Sequence, residues 1–328
     1  MLKLITSRVL QGVVVLLVVS ALTFGLLAAA GGDALTAFSS EPHVSQDAVR
    51  ELRRLYGLDQ PLALRYARWL GEFARGRMGY SFQFRAPVSA VLLPRLLRTL
   101  ALALVALAVA WAVALSLGVQ AARRPRGAWD RASGALVLVA ASAPRIVLAL
   151  VALAVAARTN IFPIGGAGEA ASSPLSPARV LPPALVLAVP LVALFLAQTR
   201  EALAAALAED FVVVARAKGL PERAVVFRHA LRAALNPLIT IFGYSLGSLV
   251  GGSVVVETVL GWQGLGALSV EAVKGRDAPL LMGVVMLTAT AVLLGNLCAD
   301  ILLRLNDPRL RRDENTRATA RRAASAVQ

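Results

Sequence analysis

The stretch Leu100-Ala-Leu-Ala-Leu-Val-Ala-Leu-Ala-Val-Ala-Trp-Ala-Val-Ala-Leu-Ser-Leu-Gly-Val-Gln-Ala-Ala122 holds no charged residue over 23 positions. A helix needs about 20 such residues to cross the roughly 30 Å of hydrocarbon in a bilayer, so this run is long enough to span one. Five further apolar runs, 9–30, 132–157, 181–197, 235–256 and 280–303, are near that length, and most of them lack a charge. Six spans predict an all-α polytopic membrane protein. Composition agrees: 58% of the 328 residues are hydrophobic, mean hydropathy is +0.70 and only 16% are charged, against about a quarter in soluble domains.

The formal charge of +15 raises nucleic acid as a partner. The basic residues gather at the ends of apolar runs, which is the pattern of topology determinants, so the bilayer is the expected partner and nucleic acid is not. The single cysteine, Cys298, lies inside an apolar run and excludes a disulfide framework. It is expected to be inert packing. His43 and His229 are far apart in sequence, so neither a metal site nor a catalytic group is predicted.

Run 9–30 follows Lys3 and Arg8 and ends in Ala28-Ala29-Ala30, features shared with a signal peptide. Its 22 residues exceed the roughly 7–15 apolar residues of such signals, and a retained anchor is the favoured reading. With six spans both termini share a side. The flanks Lys3/Arg8 and Arg123 to Arg131, the Arg200 to Arg232 loop and the Arg304 to Arg322 tail hold nineteen basic residues, which places them and both termini in the cytoplasm. The opposing segment 31–98 carries ten arginines, diluted by six acids, and is about as long as the ~60 residues beyond which loop charge loses influence.

The expected organisation is therefore an N-terminus and first span (1–30), an external helical segment (31–98), a five-helix core (99–303) with a cytoplasmic loop at 200–234, and a basic tail (304–328) of disordered character. In the external segment Ser45 is placed to cap a helix through Val49, Leu52 and Leu55 that Gly57 ends. Pro61 opens a second, with Leu64, Trp69, Leu70 and Phe73 as its apolar face. This segment reads either as a lid on the membrane helices or as a docking surface for an external partner.

The loop between spans four and five reads Glu209-Asp-Phe-Val-Val-Val-Ala-Arg-Ala-Lys-Gly-Leu-Pro-Glu-Arg-Ala-Val-Val-Phe-Arg-His-Ala-Leu-Arg-Ala-Ala-Leu-Asn-Pro237. Glu209 and Asp210 suit the positive end of a short helix, Arg216 and Lys218 its negative end, and Gly219 the left-handed stop. Pro221 and Glu222 suit the first turn of a second short helix, which Arg228 and His229 follow. The product is a compact cationic knuckle. By composition alone it reads first as a solvated connector, since basic cytoplasmic loops are the rule.

The order Asp210-Phe211, Ala215-Arg216-Ala217-Lys218-Gly219-Leu220, Arg228-His229-Ala230-Leu231-Arg232 and Pro237 resembles the "EAA" loop of permeases in ATP-binding-cassette (ABC) importers, closest to the dipeptide and oligopeptide (nickel) branch and its first permease subunit type. The resemblance runs from Arg8-Val-Leu-Gln11 and Gly32-Asp33, through Tyr56-Gly-Leu-Asp-Gln-Pro61, to Gly264-Leu-Gly266 and Asp307-Pro-Arg309. It implies a type I importer permease architecture in the inner membrane. The loop would be the coupling helix that seats in a groove of the ATPase, with Asp210, Ala215, Arg216, Lys218, Gly219, Leu220, Arg228 and His229 carrying the coupling. It further implies two cytoplasmic ATPase subunits that bind ATP and magnesium, a second homologous permease and an external solute-binding protein. This chain itself lacks a GxxxxGK[ST] loop, Gly165-Gly166-Ala167-Gly168 being followed by Glu169, so no cofactor and no enzymatic activity are expected of it. Departures from the family pattern are Gly31 for a proline, Gly76-Arg77-Met78-Gly79 for Gly-Asp-Leu-Gly, Gln263 for the proline of Trp-Pro-Gly-Leu-Gly, and Val213-Val214 for the first two residues of Glu-Ala-Ala.

Within the spans, Pro144 and Arg145 fall near the middle of run 132–157, where a charge costs at least about 2.5–3.5 kcal/mol without water or a partner. Arg145 is a pathway candidate, for a peptide carboxylate or for an acid on the partner permease. Gly243, Gly247 and Gly251 form a flat stripe suited to helix packing or to a seam with the second permease. Asn296 and Asp300, one turn apart, are expected to hydrogen-bond across helices. The rival readings are an ion-driven secondary transporter, which needs buried carboxylate pairs or repeated broken helices, and a membrane scaffold without transport. Peptides, nickel chelates, opines and sugars stay open as the solute.

Overall fold

The computed structural model describes residues 2–30, 59–159 and 175–306. Its elements are α1 (Leu2–Ala29), α2 (Leu62–Ala74), strands β1 (Tyr80–Ser81) and β2 (Ala86–Pro87), α3 (Val88–Arg123), α4 (Ala128–Ser142), α5 (Arg145–Thr159), α6 (Pro177–Leu207), α7 (Asp210–Ala217), α8 (Glu222–Gly252), α9 (Val254–Val259), α10 (Leu265–Lys274) and α11 (Ala278–Asn306). Among the described residues α1, α3, α6, α8 and α11 are long and apolar enough to cross a membrane. The pair α4 and α5 makes a sixth span if the two are taken together. The helix expected from Ser45 to Gly57, the stretch Gly165 to Glu169, His43 and the tail beyond Asn306 lie outside the described residues.

Two expectations change here. The run 132–157 is not one straight helix but two, bent by 95° at their break. A proline pushes the preceding residue out of the helical region; Ala143 is extended (φ −79°, ψ 114°), so α4 stops at Ser142 and α5 restarts at Arg145. Arg145 therefore begins a helix instead of lying inside one. The second short helix of the loop is likewise not separate. Its first turn, Glu222–Ala224, passes through a π-helical stretch, Val225–Ala230, directly into Leu231–Gly252, so loop and span form one 31-residue helix.

The chain divides into two compact units. In the first (Met1–Val105, Arg145–Leu187 and Gly247–Leu293), Val88, Leu92, Val250, Leu265, Leu268 and Leu280 make the core. The β1–β2 hairpin pairs Tyr80 with Pro87 and Ser81 with Ala86. Asp277 anchors it: one carboxylate oxygen accepts from Ser81 Oγ (2.6 Å) and Gln83 N–H (3.1 Å), the other from Leu280 N–H (3.1 Å), which caps the start of α11. Also in this unit, α2 lies against α1. Its face differs from the expected one: Tyr66, Trp69 and Phe73 stack in series and the first two meet Phe24 of α1, whereas Leu64 is exposed.

In the second unit (Ala106–Pro144, Ala188–Leu246 and Leu294–Gln328), Trp111 packs between Phe195 and Phe242, and a separate apolar cluster gathers around Val119, Leu203, Val212, Val225 and Val226. The ion pair Asp130–Arg200 joins α4 to α6 at 2.5 Å, and Asn306 Nδ2 donates to Asn236 Oδ1 at 2.6 Å, joining α11 to α8.

Candidate functional site

The segment between α6 and α8 is a capped knuckle. Helix α7 begins after the extended residue Glu209, with Asp210 in its first turn and Arg216 in its last, charges that oppose the helix dipole. It ends in a Schellman motif: Leu220 N–H donates to Ala215 C=O (3.3 Å), Gly219 N–H donates to Arg216 C=O (2.9 Å), and Gly219 sits at φ +76°. Only glycine adopts that conformation without strain. Across this turn Arg216 grips Glu222 with both Nε (3.2 Å) and Nη2 (2.8 Å), and that hydrogen bonding raises the pKa of the guanidinium further.

Burial divides the knuckle into a back and a front. Val212, Ala215, Val225, Val226 and Ala230 are buried against Val119 and Ala122 at the end of α3 and Leu203 and Ala206 at the end of α6. Phe211, Val213, Val214, Leu220 and Phe227 are exposed, among the exposed charges Asp210, Arg216, Lys218 and Arg228. Five large apolar side chains on a short, rigid, cationic projection are an unfinished interface. The predicted residues thus separate: Asp210, Arg216, Lys218, Gly219, Leu220 and Arg228 lie on the surface, Ala215 faces inward as packing, and His229 is half-buried.

The remaining candidates do not join this site. Pro144 marks the elbow, and Arg145, half-buried, donates from Nη1 to the carbonyl of Gly252 (3.1 Å), the final carbonyl of α8. Its observed partner is a backbone dipole end, the position where a cation suits a helix. Gly243 faces Ala299 and the carbonyl of Gly295, Gly247 faces Val292, and Gly251 lies near Thr288, so the stripe runs along α11 of the same chain. Asp300 is half-buried on α11, whereas Asn296 is exposed, as is Cys298, which the sequence placed in packing. Among the described residues no group of three or more His, Cys, Asp and Glu could hold a metal ion.

Sequence reasoning missed a polar centre in the first unit. The Glu257 side chain is fully buried and accepts hydrogen bonds from Thr99 Oγ1 (2.8 Å), Ser253 Oγ (2.8 Å) and Ala267 N–H (3.0 Å). Thr99 in turn accepts from Leu265 N–H (2.8 Å). A β-carbon at Gly264 would strike Thr99 and Glu257, and one at Gly266 would strike the Val254 backbone, so both glycines are required by close approach. Gln263, where the family has proline, accepts from Arg98 Nη1 at 2.7 Å. The signal for this centre was the Gly264-Leu-Gly266 motif; nothing local points to Thr99.

A set of apolar spanning helices with a capped interaction knuckle between two of them defines a polytopic membrane component built to engage another protein. Residues 114–312 match the family described as binding-protein-dependent transport system inner membrane component, residues 1–103 match that of the N-terminal part of such membrane components, and the chain belongs to this family. It is a transmembrane permease subunit of an ABC importer, a transport component and not itself an enzyme. Among similar proteins, the oligopeptide transport system permease protein AppB of Bacillus subtilis is 35% identical, over 93% of this chain and 98% of that protein. A putative peptide permease protein of Brucella suis is 34% identical, over 95% and 99%. The dipeptide transport system permease protein DppB of Escherichia coli is 30% identical, over 89% and 94%.

Proposed function

We propose that this subunit forms half of a pathway for peptides or a closely related small solute, beside a second homologous permease, and that the knuckle from Asp210 to His229 is where two cytoplasmic ATPase subunits drive it. Both termini and the knuckle lie in the cytoplasm, as the distribution of basic residues favours. Residues 31–98 form the external segment, 99–303 the permease core and 304–328 the cytoplasmic tail. ATP and magnesium belong to the ATPases. An external solute-binding protein delivers the solute to a cavity opened outward by ATP binding, and hydrolysis resets it.

The observation that carries this reading is the division of the knuckle. Its buried back bonds it to the ends of α3 and α6, so a push on its exposed front reaches the helices without fraying α7. The named relatives support peptides as the solute class. The elbow at Pro144 and the neighbouring Arg145 are the proposed solute-contacting positions, and Gly243, Gly247, Gly251, Asn296 and Asp300 serve helix packing.

Val213→Cys in a Cys298→Ala background tests the docking. A thiol cross-linker should join this residue to the ATPase subunit in the assembled complex, and the yield should change when ATP binds. Cross-linking absent at Val213→Cys, in a complex that holds the ATPase and transports, would contradict the assignment.

A further inference from the structure

The membrane part of α8 has an uncovered side unlike that of its neighbours. The other spans turn large apolar side chains outward, among them Val14 on α1, Leu104 on α3, Leu150 on α5, Leu194 on α6 and Leu302 on α11. Such side chains suit lipid tails. From Leu231 to Gly252 no leucine, isoleucine, valine or phenylalanine is exposed. The exposed side carries instead Thr240 and, one turn on, Tyr244, which is 69% uncovered.

Depth makes this side informative. Asn306, the last residue of α11, bonds to Asn236, and Arg304 and Arg232 lie close by in sequence, so the pair marks one membrane end of both helices. Tyr244 is eight residues further along α8, about 12 Å inward in a hydrocarbon layer of about 30 Å. Tyrosine ordinarily sits at the headgroups, where its hydroxyl is wet. Thr240 Oγ1 donates to the Asn236 carbonyl (3.2 Å), a bond that satisfies it even against lipid. Tyr244 has no such bond: among the described residues its hydroxyl has no partner. An unpaired hydroxyl is costly in hydrocarbon, so its surroundings must supply water or a polar group. Pro237 adds to the demand. It has no N–H to give the Ala233 carbonyl, and both residues lie on the same side of α8 as Thr240 and Tyr244.

We infer that this side of α8 lines a water-filled solute path, where Tyr244 offers its ring and hydroxyl to the backbone amides of a passing peptide. The inference rests on the permease reading above and names residues of its path. No charged residue lies between Arg232 and Gly252, so the contact is by neutral hydrogen bonds, which suit any peptide backbone and hold it weakly enough to leave. The same helix begins in the knuckle at Glu222 and continues to Gly252, so movement of the knuckle moves Tyr244.

Tyr244→Cys and Thr240→Cys, each on Cys298→Ala, test this in the whole complex in nanodiscs, which leave both membrane faces open. A thiol reagent of fixed positive charge should modify them at least about tenfold faster than Val14→Cys, because a thiol ionises to react and hydrocarbon suppresses that. The rate should change when ATP binds, and a casein hydrolysate of short peptides, loaded on the solute-binding protein, should slow it. Thr240→Cys, close to the native size, carries the test if Tyr244→Cys fails to assemble. Rates no faster than at Val14→Cys, with and without ATP, would overturn the inference, as burial in lipid or against the second permease would give. Fast labelling that the peptides leave unchanged would overturn the solute contact. Both results leave the permease reading standing in a complex that transports; a wild-type complex that transports no peptide would instead contradict that reading.

Discussion

Arg216 and Glu222 embrace across the Gly219 turn, two nitrogens to two oxygens, and so tie α7 to the first turn of α8. Both side chains are about half exposed (48% each). Exposed ion pairs add little to stability, so this one sets geometry. Arg216→Ala should leave thermal melting of the purified chain unchanged within scatter, while lowering transport-linked ATPase activity of the complex. Salt added to the wild type should produce the same selective loss, because screening reaches a surface pair first.

Glu257 behaves in the opposite way. Its carboxylate is the acceptor for two buried hydroxyls and a part-buried, fixed backbone N–H. Glu257→Leu leaves those donors without an acceptor at about 1–3 kcal/mol each, enough to remove most of a typical fold's margin. The expected result is a sharp fall in monodisperse protein on size-exclusion chromatography. Glu257→Gln, which keeps one oxygen, should fall between that variant and the wild type.

At Gly243 a β-carbon would collide with that of Ala299. Gly243→Ala should therefore cost about 1–3 kcal/mol by overpacking. Combining it with Ala299→Gly removes the colliding carbon and should restore much of the melting temperature, a coupling that independent surface effects would not show.

Arg145 begins α5 and meets the final carbonyl of α8. Arg145→Lys keeps the charge and loses the planar fork. If the residue also meets solute carboxylates, the lysine variant should transport free-carboxyl peptides with a raised KM and amidated peptides unchanged. An equal change for both would assign Arg145 to the helix end alone.

What the sequence made legible follows from how local each signal is. Spans were readable because a charge-free run of spanning length has few other uses, and Gly219 because a helix stop needs a left-handed residue at one position. The bend at Ala143–Pro144 was readable only as a proline inside an apolar run, since a break in membrane-depth helix leaves hydropathy unchanged. The merger of the second loop helix with α8 was hidden because hydropathy starts the span only at residue 235, after Arg228 and Arg232, although a helix carries charges equally well outside the membrane. Glu257 was hidden most completely. Its hydroxyl partner Thr99 is 158 residues away, and no spacing rule connects them.

The central claim is that the knuckle transmits force, and Gly219 is its most exposed test. Gly219→Val meets no neighbour within 4 Å, so it changes backbone conformation at φ +76° and little else, at about 1–2 kcal/mol. In proteoliposomes holding the whole complex, the measurement is ATPase activity with and without the loaded solute-binding protein. The account predicts that the variant assembles and keeps basal hydrolysis but loses the stimulation. Stimulation equal to wild type, in a complex assembled to the same extent, would contradict it.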